Sequence, residues 1–122
     1  MGVPLALQFK KDIPKADFSK LYDGKRLTLF MDLLDEISKE HDLTPFSSFV
    51  EDDYAKVESW FESEDGLQTV SAIIKAFQSE KQWSKEPRKL KCFPSLMAEL
   101  KELERCLEIG KKKKMPFKFF LY

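Results

Sequence analysis

The chain has 122 residues, 21 acidic and 21 basic side chains, one histidine, and 43% hydrophobic residues including eleven phenylalanines. That composition suits one globular domain spanning 1–122 with a Phe-rich core. It excludes a membrane-spanning helix, which needs about 20 consecutive apolar residues, and a disulfide scaffold, which needs more than Cys92 and Cys106.

Residues 5–10 read as a short strand bracketed by Pro4 and Pro14. Pro14 then opens a short helical turn through Phe18 and Tyr22. A helix is predicted over 24–40, with Asp23 as its cap and Leu27, Phe30, Leu34 and Ile37 on one face. Thr44-Pro45 breaks the chain. A second helix is predicted over 49–62, opened by a Ser48/Glu51 capping box and striped by Val50, Tyr54, Val57 and Phe61. A third is predicted over 66–80, capped by Ser63 or Asp65, with Leu67, Val70, Ile74 and Phe77 in line.

Residues 81–92 lack a clean period and read as a basic connector carrying Trp83. The fourth helix is predicted over 94–109. Pro94 stands at its first position, Leu96, Leu100, Leu103 and Leu107 form its stripe, and Gly110 stops it in a left-handed turn. The tail beyond it reads as extended, to pair with the N-terminal strand or to tuck its aromatics under the bundle. The fold class is therefore mainly α: a compact bundle of about four amphipathic helices with a short β-pair from the two chain ends.

Charge is segregated along the chain. Residues 32–65 hold twelve acids against Lys39 and Lys56, whereas residues 81–122 hold twelve bases against five acids. Such asymmetry bears on partners rather than on fold. The acidic segment suggests a docking face for a basic protein, with Asp52, Asp53, Tyr54, Glu58 and Trp60 as its residues. By analogy of charge and size alone, this is how an inhibitor or immunity-type partner covers a positive site.

The alternative uses the basic-aromatic tail. Lys111, Lys112, Lys113, Lys114, Phe117 and Lys118 form a pattern suited to an anionic membrane or polymer. The competing reading makes the lysines complements of a helix C-terminus and the phenylalanines core. Nucleic acid is disfavoured by the near-neutral pI of about 6.6.

No catalytic chemistry is assigned. The chain has no GxSxG, HExxH, Walker or GxGxxG pattern. A calcium loop fails because counting from Gly66 as the sixth position puts Phe61 first and Ala72 twelfth. His41 cannot complete a zinc site with two separated cysteines, so no metal or cofactor is expected. His41 reads as a structural residue beyond a helix C-terminus, and Cys106 as a buried thiol. The expectation is a non-enzymatic, cytoplasmic interaction protein. The leucine stripe at 96–107 would support a homodimer if it were exposed.

Overall fold

The computed structural model describes residues 3–50, 60–79 and 87–121, as backbone alone over 87–91. Strand β1 (Leu5–Phe9) leads into 3-10 turns at Pro14–Ala16 and Phe18–Lys20. Helices α1 (Lys25–Leu29) and α2 (Met31–Glu40) follow, then a 3-10 turn at Phe46–Phe49. Helices α3 (Ser63–Ser79) and α4 (Pro87–Lys112) precede the closing strand β2 (Phe117–Leu121). The bundle is mainly helical, and the two terminal segments pair as an antiparallel sheet with Leu5 opposite Leu121 and Phe9 opposite Phe117.

Strand β2 organises the core. On one edge it pairs with β1. On the other, Phe117 exchanges both backbone hydrogen bonds with Phe61, at 2.9 and 2.8 Å, and Phe119 forms a parallel bridge with Val50. Side chains alternate along a strand, so Phe117 and Phe119 share a face. That face meets the ring of Phe46, stacked on Phe119 at 5.0 Å, and that of Phe49, 5.2 Å from Phe117. Phe46, Phe49, Phe117 and Phe119 are all at most 1% exposed. Each fully buried Phe contributes roughly 1.5–3 kcal/mol, and each well-placed ring pair about 0.5–1.5 kcal/mol more.

Helix α3 closes over this cluster at Gly66. A Cβ there would stand 2.3 Å from the Phe117 ring, so only glycine admits the approach.

The apolar stripes fall where their periods put them. Leu27, Leu34, Ile37, Val70, Ile74, Leu96, Leu100, Leu103 and Leu107 are all buried. With its four leucines fully enclosed by the same chain, the α4 stripe offers no surface to a second copy.

Several boundaries differ from the sequence reading. The 24–40 helix is interrupted at Phe30, whose ψ of 13° departs from helical geometry, although its N–H still reaches Arg26 C=O at 3.1 Å. The predicted 49–62 helix lies outside the described residues over 51–59. At its described ends Phe49 closes a 3-10 turn, while Val50 and Phe61 bridge to β2. Pairing with β2 satisfies their backbone better than a helix end could.

Helix α4 begins at Pro87 rather than Pro94, taking in half of the presumed connector. Phe93 secures this extension by packing edge-on against Phe77 at 5.2 Å. Pro94 sits inside the helix, without the N–H that an interior position normally contributes.

Gly110 does not end α4. The helix runs on to Lys112, and the left-handed residue is Lys114 at φ 52°. The Met115 N–H reaches Gly110 C=O at 2.9 Å and the Lys114 N–H reaches Lys111 C=O at 3.0 Å, the pattern of a left-handed C-cap. Asp42, at φ 56°, ends α2 in the same way. Gly110 instead serves a close approach, since a Cβ there would stand 2.4 Å from the Phe9 ring and 2.6 Å from Ser63 Oγ.

These two positions make opposite predictions. Lys114→Gly relieves left-handed strain and should raise stability by about 1 kcal/mol. Gly110→Ala forces Phe9 and Ser63 apart and should cost about 1–3 kcal/mol. Urea unfolding of the two variants reads both signs. A left-handed stop at Gly110 would instead leave Lys114→Gly without benefit.

Candidate functional site

The acidic surface begins on α2. Asp32, Glu36 and Glu40 are exposed there, and Asp42 follows in the turn. Asp35 differs. It is half-buried and accepts the Ser47 N–H at 2.8 Å and the Ser47 hydroxyl at 2.6 Å, tying α2 to the Phe46–Phe49 turn. Exposed Glu62, Glu64 and Asp65 stand at the start of α3, and the cleft between them and the end of α2 also holds Lys75 and Lys111. Acids in a first helical turn complement the helix dipole. Thr69 of α3 holds the segment that follows α2, its hydroxyl donating to Thr44 C=O at 2.8 Å.

Ser63 takes no capping role. It is buried, and its hydroxyl donates to Met115 C=O, bolting the start of α3 to the turn between α4 and β2.

Of the residues assigned to the acidic docking face, Asp52, Asp53, Tyr54 and Glu58 lie outside the described residues. Trp60 is half-buried, and its ring lies 4.5 Å from the Lys118 ammonium. Its indole is thus engaged within the chain, in a cation–π contact worth about 1–2 kcal/mol when desolvated.

The basic-aromatic tail divides in two. Lys111, Lys112, Lys113 and Lys114 are exposed around the end of α4. Phe117 is fully buried and Lys118 is only 3% exposed, so neither belongs to an exposed surface. Alternation along β2 puts them on opposite faces, both covered. The lysine cluster gains members invisible in the linear chain. The Lys10 N–H donates to Pro116 C=O at 2.9 Å, which brings exposed Lys10 and Lys11 beside the α4–β2 turn. The long Lys111–Glu64 contact of 3.9 Å joins two exposed groups and adds little to stability.

An open cleft of about 530 Å³ separates α2 from α3 and α4. His41, Glu64, Lys75 and Lys111 surround a floor that includes Leu43 and Leu67. His41 itself is exposed at the C-cap of α2. Among the described residues no group of three His, Cys, Asp or Glu side chains is placed to hold a metal ion.

Glu99 is the acid that sequence reasoning missed. It is 2% exposed and accepts the Leu27 N–H at 3.2 Å. Helix α1 starts after Gly24, which has no side chain with which to cap it. Asp23 takes the Lys25 N–H at 3.1 Å, and Glu99 reaches across from α4 for N–H groups deeper in the turn, Arg26 among them. Its signal was a carboxylate on the leucine stripe, three residues after Leu96 and four before Leu103.

Burial pushes the Glu99 carboxyl above its ordinary value near 4.5, against the lowering pull of the Arg26 and Leu27 N–H groups. The buried Cys106 thiol is likewise pushed up to about 12, chiefly by desolvation. It is an unreactive core group.

No protein-family model, curated protein or solved structure matches the chain.

The Glu99 cap has a pH signature. The folded state holds its proton to higher pH than the unfolded chain does. Its contribution is therefore complete below about pH 4.5 and is lost as pH rises through the raised value. Glu99→Gln keeps an acceptor and removes the titration, so it should flatten that descending part of the stability–pH curve. Glu99→Ala leaves the α1 N–H groups unpaired and should cost about 1–2 kcal/mol. Denaturant midpoints measured between pH 4 and pH 8 test both.

Proposed function

We propose that the protein is a non-enzymatic interaction module that docks a basic partner protein through its acidic helix surface. One observation carries this reading. The exposed carboxylates of α2, its following turn and the start of α3 stand largely unneutralised. Of Asp32, Glu36, Glu40, Asp42, Glu62, Glu64 and Asp65, Glu64 alone has an ion pair among the described residues. A concentrated negative surface attracts a positive partner, accelerates encounter and disfavours acidic competitors. Asp52, Asp53 and Glu58 extend the same acidic stretch in sequence. An inhibitor-like role, covering a positive site on another protein, fits this charge and size.

A second reading, contact with an anionic bilayer or polymer, is favoured by the exposed lysines at 10, 11 and 111–114. It is purely electrostatic, because the Phe117 ring is in the core. Docking through the acids predicts that affinity capture with the intact chain recovers a basic protein and that the Asp52→Lys, Asp53→Lys, Glu58→Lys variant loses it. Added salt should weaken the capture. Capture indifferent to both charge reversal and salt would contradict the proposal.

A further inference from the structure

Strand β2 is the last element of the chain, and one short turn, residues 113–116, holds it to α4. Its neighbours among the described residues precede that turn: β1, residues 46–50, Trp60, Phe61 and Gly66. A slot built from the chain ahead of a hinge accepts the same strand from a second copy with the same contacts.

The turn carries backbone strain. Lys114 is left-handed at φ 52°, a conformation that crowds any residue with a Cβ. Its hydrogen bonds have a helical alternative. The Lys113 N–H already reaches Ile109 C=O at 3.1 Å, as a continuing helix requires. In the turn, the Met115 N–H bonds Gly110 C=O and the Lys114 N–H bonds Lys111 C=O. Continuing α4 through Lys114 exchanges these for Lys114 to Gly110 and Met115 to Lys111, so two bonds replace two. Lysine is a good helix former. Pro116 then stops the helix, because the residue before a proline avoids helical backbone. The open hinge thus relieves Lys114 with no net loss of backbone hydrogen bonds. The bond from the Ser63 hydroxyl to Met115 C=O, at the hinge itself, is given up.

We propose that two copies of the chain exchange β2 through this hinge to form a closed, two-fold symmetric dimer. Each α4 runs straight through Lys114 and delivers Phe117–Leu121 to the slot of the other copy. Short hinges under strain favour such exchange. The pairing of Phe9 with Phe117, the Phe61 hydrogen bonds and the stack of Phe46 on Phe119 all recur, now between copies. Enclosed as it is, β2 leaves its slot only on unfolding, so the dimer is captured when chains refold together at high concentration. The exchange uses none of the α2–α3 carboxylates and stands or falls apart from docking to a basic partner.

The test refolds the whole chain from urea at about 1 mM, the scale on which a second copy competes with a tethered segment, and at about a hundredfold lower concentration. Size-exclusion chromatography with light scattering should show a dimer at the higher concentration and monomer at the lower. When isotope-labelled and unlabelled chains refold together, isotope-filtered NMR of the dimer should give contacts between Ala6 of one copy and Phe120 of the other, partners across the β1–β2 pair. Lys114→Gly removes the strain and should lower the dimerisation constant at least about fivefold. Deleting Lys113 and Lys114 shortens the turn from four residues to two and should make the dimer the main species. Refolding to monomer alone at about 1 mM would overturn the proposal. So would a dimer whose Ala6–Phe120 contacts stay within one copy, a dimer yield unchanged by Lys114→Gly, or a folded monomer from the deletion variant.

Discussion

Strand β2 is enclosed on both edges and both faces over Phe117–Phe119, and the other elements are positioned by that enclosure. One edge holds β1, and the other holds Phe61 and Val50. One face presents Phe117 and Phe119 to Phe46, Phe49 and the backbone of α3 at Gly66. The opposite face buries Lys118 with Trp60 against its ammonium. A two-stranded hairpin is marginal by itself in water. Here a chain-terminal strand becomes a central one because segments distant in sequence pair with it. The left-handed cap at Lys114 turns the chain from α4 into this slot, and Gly110 lets β1 approach the helix closely enough to meet it.

That arrangement also accounts for the surface. Antiparallel pairing of the two ends carries Lys10 and Lys11 to the lysines that end α4, so two modest basic runs become one cluster. The acidic helices pack on the other elements through Asp35, Thr69 and their apolar stripes, leaving most of their carboxylates outward. Zero net charge thus coexists with strongly charged local surfaces. At physiological salt, charges separated by more than about 8 Å are largely screened from each other, which lets such surfaces act independently.

Features governed by local period were legible in the sequence. The stripes at 67–77 and 96–107 identified helices and core together, because a 3.6-residue repeat of large apolar side chains has few other solutions. The terminal β-pair was legible from the prolines that bracket residues 5–10 and from the extended tail. Features governed by tertiary contact were not. Gly110 resembles a helix stop, and only the ring of Phe9 reveals that its missing Cβ makes room for packing. Val50 and Phe61 fit a helical stripe equally well as core contacts of a strand, and the strand claims them. Of the candidate site, the acidic run and Lys111–Lys114 were visible as composition. The burial of Phe117 and Lys118 and the Glu99 cap 72 residues from its target depend on which segments meet.

The most direct test of the central role of β2 is native-state hydrogen exchange. If the enclosed strand anchors the fold, the amides of Phe117 to Phe120 open only with the whole molecule. Their exchange free energies then equal those of the slowest amides in α3 and α4. If they instead exchange well below that level, as a fraying chain end does, β2 is an accessory of a self-sufficient helical core and the account is contradicted.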